Sequence, residues 1–273
     1  MEPRDGIPES LRQLQKLLQY RRAQVDPTEH GFPRRSRRGR RADGLGLTQG
    51  HMDALLGSPG SGTYGALERG DLTNPPPELL REVARILKFD EDEWAALWAL
   101  TRQERPPYPL YPRADQRIDP SWQSVLDAHP HMAYITDRGW NLLMHNAAFA
   151  EMFESGQPPE NTMEYMVLSD EGRRTLAEWE THWAPQVLSQ LRNAYAEQPH
   201  NPTLRSLVER VRQDPQAGPI YAADPRAFMH PDGDTRPFRH LRHGPGRVQL
   251  NAAGPYGSPG ARLIFVRFIP DPA

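Results

Sequence analysis

Between Arg105 and Pro112 the chain reads Arg-Pro-Pro-Tyr-Pro-Leu-Tyr-Pro, and no helix or central strand can run through it. Proline locks φ and lacks the N–H that a helix or sheet would use, so four prolines in seven residues favour an extended spacer. The stretch cuts the 273 residues into unequal parts. At roughly 150 residues per domain the length suits two domains and hardly three. The expected division is a helical domain over 1–105, a proline-rich linker over 106–112 and a second domain over 113–273.

Several classes of protein fall away on composition. The longest apolar runs, Ala95–Leu100 and Leu263–Val266, are far shorter than the ~20 residues a membrane-spanning helix needs. The first ten residues, MEPRDGIPES, lack the basic-then-apolar pattern of an export signal, so a cytoplasmic protein is expected. With no cysteine there can be no disulfide, thiol nucleophile, cysteine-ligated zinc or iron–sulfur site. All but two of the 33 basic residues (Lys16 and Lys88) are arginine, which points to a GC-rich bacterial genome.

Before the prolines the pattern is helical. Ser10 is placed to cap a helix carrying Leu11, Leu14, Leu17 and Leu18 on one face and ending near Val25. A loop of about twenty residues follows, a length that usually means function or disorder. It holds Arg34, Arg35, Arg37, Arg38, Arg40 and Arg41, six guanidinium groups that would act as a salt-sensitive clamp on phosphate. Leu47–Leu56 then reads as a short helix stopped by Gly57, and Thr63–Arg69 as another stopped by Gly70. Pro75–Pro77 opens a fourth with Leu79, Leu80, Val83, Ile86 and Leu87 as its buried stripe. Asp90 begins a fifth, whose acidic first turn suits a helix N-terminus.

After the prolines the periods mix. His131–Thr136 and Trp140–His145 are strand-like, with a hairpin connection at Asp137-Arg-Gly139. Asn146 to Phe153 suggests a helix, and helical periodicity returns from Ser169 to about Gln213 with a break near Pro199–Pro202. Phe238–Leu241, Arg247–Ala253 and Arg262–Phe268 read as strands. Strands first and last with helices between imply one antiparallel sheet with helices on one side, an α+β fold after an all-α one. Such a sheet and its helices can enclose an apolar pocket with a few polar anchors. The expected lining is Met132, Tyr134, Leu142, Met144, Phe149, Phe153, Met166, Trp179 and Trp183, closed by Leu250, Ile264 and Val266, with Arg192 as the anchor for a carboxylate. Methionines and aromatics at these spacings also build ordinary cores, and only the set argues for a cavity.

The same residues offer little to an enzyme. No glycine-rich phosphate loop, serine elbow or paired-carboxylate site is present, and no cofactor is expected. Glu178 and His182 share a helix face, and His129 lies near His131, but neither pair has a third metal ligand at a defined spacing.

The helical half resembles the XRE (Cro/repressor-like) helix-turn-helix family over residues 9–101. The resemblance rests on Leu47-Thr48-Gln49 opening one helix, Leu67-Glu68-Arg69-Gly70 closing the next, and a proline followed by an apolar helix. It implies double-stranded DNA as partner, a phosphate-contacting role for Gln49 beside Thr48, and structural roles for Leu67 and Glu68. By position, Ser61, Thr63 and Tyr64 are the base-reading candidates, in a turn and helix that contain Gly60, Gly62 and Gly65. The second half resembles the ligand-binding domain of MmyB-like transcription regulators, which look like PAS domains. His131–Asp137, Trp140-Asn-Leu-Leu, Asn146-Ala-Ala-Phe, Trp179-Glu-Thr-His-Trp183, Val187–Leu191 with Arg192, and His230-Pro-Asp-Gly233 carry it. Together these imply a homodimeric, ligand-responsive, sequence-specific transcription regulator with a small apolar or fatty-acid-like effector. The competing expectation is a protein-interaction module whose glycine-rich helix no longer reads bases.

Overall fold

The computed structural model describes residues 8–33, 46–223 and 232–272. They form two compact units that meet in sequence at Pro112/Arg113. The six arginines expected to clamp phosphate, Arg34 to Arg41, lie outside the described residues.

The first unit is built from five short helices: α1 (Glu9–Gln24), α2 (Gln49–Leu55), α3 (Thr63–Arg69), α4 (Pro77–Ile86) and α5 (Glu91–Arg102). Their ends follow local chemistry. Thr48 and His51 form a reciprocal capping box at α2, and Asp90 and Glu93 form another at α5. Gly70 ends α3 in the left-handed region, where any other residue would be strained. At α1 the expected cap is wrong. Ser10 lies inside the first turn, the helix begins after Pro8, and no side chain caps it. Leu14, Leu18, Met52, Tyr64, Leu67, Leu80, Trp94 and Leu97 fill the core.

The proline-rich stretch does not hang free as a spacer. Leu110 is fully buried in the first unit's core. Glu91 accepts from the Leu110 and Tyr111 amides, both at 2.9 Å, and Trp94 Nε1 donates to the Tyr108 carbonyl at 2.9 Å. Prolines leave few N–H groups to satisfy here, and Glu91 at the start of α5 takes those of Leu110 and Tyr111.

The second unit carries a five-stranded antiparallel sheet of β1 (Met132–Thr136), β2 (Leu142–His145), β3 (Asp234–His240), β4 (Gly244–Ala253) and β5 (Arg262–Pro270), in the order β2-β1-β5-β4-β3. One helix, α6 (Trp122–Asp127), precedes the sheet, and α7 (Ala147–Ala150), α8 (Thr162–Leu168), α9 (Asp170–Thr175), α10 (Ala184–Glu197), α11 (Pro202–Gln213) and α12 (Ala217–Ala223) lie between β2 and β3. Helices α8, α10 and α11 share one core with Met132, Phe238, Val248, Leu250 and Val266 of the sheet. The sheet is not one-sided, however. Leu126 of α6 packs with Ala133, Ile135 and Leu263 on the opposite face.

Other expectations move by a few residues for identifiable reasons. The helix expected over Asn146–Phe153 is the single turn α7, capped by Asn146, whose side chain also bonds Ala133 N and the Leu126, His129 and His131 carbonyls. The strand expected over Phe238–Leu241 starts earlier, at Asp234, and leaves exposed Leu241 in the following turn. Pro237 is accommodated because β3 is an edge strand, where a missing N–H is tolerated.

Candidate functional site

A cavity of about 500 Å³ lies between the sheet and α10. Tyr134 of β1, Met166 of α8, Trp183, Leu250 of β4 and Ile264 of β5 supply apolar walls. The sheet twice brings in an arginine: Arg236 from β3 and Arg262 from β5. Thr136, Gln190, Asn193 and Glu197 add polar groups. A recess of about 50 Å³ lined by Phe149, Phe153, Phe238 and Val248 shares Tyr134, Met166, Trp183 and Leu250 with the larger cavity, so those four form a common wall.

Local structure positions these groups. Five residues, Trp179–Trp183, form a π-helical turn running straight into α10, and this wide turn sets both tryptophans inward. Trp183 Nε1 donates to the Pro237 carbonyl at 2.8 Å, tying the turn to β3. Trp140 sits in the left-handed region (φ 63°), an unfavourable backbone for an aromatic residue, held by Thr162 N donating to its carbonyl at 2.9 Å.

Each arginine lies over a tryptophan. The Arg236 guanidinium is 4.9 Å from the Trp183 ring centroid, and its Nε donates to Asp234 Oδ2 at 2.7 Å. Arg262 is 4.1 Å from the Trp140 centroid and donates through Nη1 to the Arg138 carbonyl at a long 3.4 Å. Burial pulls both guanidinium groups below their ordinary pKa, although each remains a cation. Burial also pushes the Tyr134 phenol up to about 12, against the pull of Arg262 and Arg236. Thr136 Oγ1 and Gln190 Nε2 are shielded from solvent and have no hydrogen-bond partner among the described residues. This arrangement can take a largely apolar molecule bearing a hydrogen-bonding, negatively charged end.

Of the expected lining, Tyr134, Met166, Trp183, Leu250 and Ile264 face the larger cavity, and Phe149, Phe153 and Val266 face the recess. Met132 is buried core, and Leu142 packs against the same core. Trp179 is buried too, with Nε1 donating to the Met166 carbonyl at 2.7 Å. Two expectations are corrected. Met144 is opposite Ile135 and packs on the α6 face, because a register shift at Ile135/Thr136 interrupts the alternation of β2. Arg192 donates to the Tyr221 carbonyl at 2.9 Å and lies over that ring, away from the lining. The residues that pattern reading missed include Thr136, Trp140, Gln190, Asn193, Glu197, Arg236 and Arg262. A signal for the two arginines was present: Arg236 is two before inward Phe238, and Arg262 two before inward Ile264.

In the helical unit, Gln49 Nε2 and the Arg22 guanidinium both donate to buried Glu68, at 3.1 Å and at 3.1 and 3.3 Å. Asp53 accepts from Gly62 N and Tyr64 N, each at 2.9 Å, and so caps α3. Thr48 Oγ1 is the cap of α2. Ser61 is exposed and Thr63 half-buried, their hydroxyls 2.8 Å apart. Tyr64 is the correction here: it is fully buried, bonds the Leu18 carbonyl at 3.3 Å, and cannot reach a base. Arg69 is instead the exposed basic side chain of α3, paired with Asp71 at 2.8 Å. Glu178 and His182 make an exposed 3.1 Å contact, and the described residues contain no group of three or more metal-ligating side chains. No described helix is long and apolar enough to cross a membrane.

A comparison with curated proteins returns no match. Residues 118–273 match the family model of the MmyB-like transcription regulator ligand binding domain, a span that contains every residue lining the cavity. That span is more than half of the sequence, and the chain therefore belongs to the MmyB-like transcription regulator family.

Proposed function

We propose that the protein is a ligand-responsive, sequence-specific transcription regulator that binds operator DNA through its helical unit and a small effector in the cavity of its second unit. The observation that carries this reading is the cavity: about 500 Å³ of aromatic and aliphatic wall with Arg262 stacked on Trp140. Such a volume is typical of small-molecule sites, which span about 300–1,000 Å³. The effector is a mostly apolar, fatty-acid-like molecule. Its acidic end takes the donors of Arg262 and Thr136 Oγ1, and its apolar body runs toward the Phe149–Phe153 recess. Glu197 repels a second negative charge, so a monoanion fits better than a dianion.

On the DNA side, Gln49 and Thr48 at the start of α2 contact phosphate, while Ser61, Thr63 and Arg69 present the exposed surface of α3. The loop arginines 34–41 add phosphate contacts. One such helical unit covers few base pairs, so the protein acts as a homodimer on a two-fold site. The effector alters DNA affinity to the extent that it binds two conformations unequally.

Mass spectrometry of small molecules extracted from the purified protein tests the pocket, followed by thermal shift with palmitate as probe. Arg262→Gln should weaken palmitate roughly 10–100-fold, the loss of about 1.5–3 kcal/mol from a charged hydrogen bond. Unchanged affinity would remove Arg262 from the site. A gel shift on the DNA flanking the protein's own gene tests the other half. Selective binding supports the reading, and none, or wholly unselective binding, supports the protein-interaction module. That alternative draws its support from α3, which has seven residues and turns its tyrosine inward.

A further inference from the structure

The cavity uses one face of the sheet. The opposite face, beyond the part α6 covers, carries a charge pattern that effector binding does not use. Arg239 of β3, Arg247 of β4 and Arg267 of β5 are all exposed, and each is flanked along its strand by residues turned into the core. The registers place them on one line. Arg239 is opposite Pro245, Arg247 is opposite Pro237 and Ile269, and Arg267 is opposite Gln249. Each arginine is thus the diagonal neighbour of the next, stepping two residues along β4 for each strand crossed. Diagonal neighbours on an antiparallel face are about 7–8 Å apart, so the row spans about 15 Å.

No ion pair or hydrogen bond occupies these three side chains among the described residues. The other positions of this face are Thr235, Pro237, Pro245, Gln249, Ile269 and Asp271, the last bonded through its amide to the Pro245 carbonyl at 3.3 Å, so one carboxylate at the edge stands against three arginines. Burial, then His129 and Arg267, hold the His131 pKa below its ordinary value.

A straight row of three like charges, with a single carboxylate at one edge, matches an extended polyanion. A second copy of this face would set arginines against arginines in a two-fold contact. A folded protein partner generally needs apolar anchors seated in pockets, and the row crosses an open pleated surface. We propose that Arg239, Arg247 and Arg267 form a contact for the phosphate backbone of double-stranded DNA, carried by the effector-binding unit itself. This rests on the reading of the protein as a DNA-binding regulator. It adds a sequence-independent contact from the unit that senses the effector.

The test uses the full chain and a mixed-sequence 30-base-pair duplex, with affinity read by fluorescence anisotropy across a salt series. Replacing all three arginines (Arg239→Gln, Arg247→Gln, Arg267→Gln) should reduce the slope of log affinity against log salt by about 2–3. Preference for any selected sequence should be retained. The chain has no cysteine, so Gln249→Cys gives a single thiol within the row, with all three arginines intact. A photo-crosslinker there should transfer to the duplex. An unchanged slope, or crosslinking to a second copy, overturns the sheet-face contact while leaving DNA binding by the helical unit standing. Displacement of the duplex by poly-glutamate of equal charge at lower concentration would overturn it in favour of an acidic protein partner. If the unaltered protein binds no duplex at all, the DNA-binding reading falls and this contact falls with it.

Discussion

Asp53 and Glu68 in the helical unit and Thr136 and Gln190 in the sheet unit are all shielded from water, yet they are used in opposite ways. Asp53 spends both oxygens on the N-terminus of α3, and Glu68 spends both on Arg22 and Gln49. These groups close the helical unit on itself. Thr136 Oγ1 and Gln190 Nε2 line a cavity and have no hydrogen-bond partner among the described residues. A buried polar group without a partner costs about 1–3 kcal/mol, and a ligand that bonds it recovers that cost. One unit thus presents a braced exterior, and the other keeps unspent hydrogen-bonding capacity inside.

The sharpest way to break this contrast is to open the closed unit. Leu110→Ala removes a fully buried side chain that the proline-rich stretch inserts into the helical core. The expected cost is about 2–5 kcal/mol on the first unit. Calorimetry should show its transition lowered and that of the second unit unmoved. If both transitions fall together, the two units do not melt independently.

Glu68→Ala should cost somewhat less, about 1.5–3 kcal/mol, because it strips charged hydrogen bonds from Arg22 and Gln49. Denaturant unfolding would measure it, and a loss under half a kilocalorie would mean Glu68 is no keystone.

Thr136→Val is the counterpart in the open unit and should behave the other way. Stability should hold or rise by up to about 1 kcal/mol, since an unpartnered hydroxyl is removed from a buried position. Palmitate affinity should fall. A clear destabilisation without ligand would show that the hydroxyl is already satisfied and that the contrast with Glu68 is false.

The smallest effect is one of pH. Burial, His243 and Arg242 lower the His240 pKa below the ordinary 6.5, while Glu151 pulls it up. The unfolded chain then takes up the proton first as pH falls. His240 therefore contributes nothing unfavourable above about pH 7 and costs stability progressively toward pH 5. The fall in the second unit's melting temperature over that range should be shallower in His240→Gln. Comparing the two proteins cancels the opposite contribution of Asp115, whose pKa burial raises, and those of Glu164 and Asp214, whose pKa values are lowered. Parallel curves would exclude His240 as a source of the pH dependence.

Much of the helical unit was legible from residues acting on their near neighbours. Gly70 and Asp90 each decide a helix end through bonds within a few positions, so reading the chain in order finds them. Tyr64 was misplaced because its spacing alone does not say which face of α3 turns inward. That depends on α1, whose Leu18 carbonyl takes its hydroxyl from 46 positions away. In the second unit the strands were found by alternation, but alternation is silent about an irregularity. One shifted register at Ile135/Thr136 sends Met144 to the α6 face and leaves Leu142 with the helices.

By itself the sequence determined a helical region followed by β-strands with helices between them, and the helix ends at Gly70 and Asp90, because those depend on backbone preferences and short periods. Only the tertiary structure decided that the proline-rich stretch docks on α5 and that Arg236 and Arg262 turn into a cavity while Arg239, Arg247 and Arg267 line up on the other face. Those outcomes depend on which strands pair and in which register, and pairing joins residues far apart in the chain whose one-residue slip would exchange the two faces.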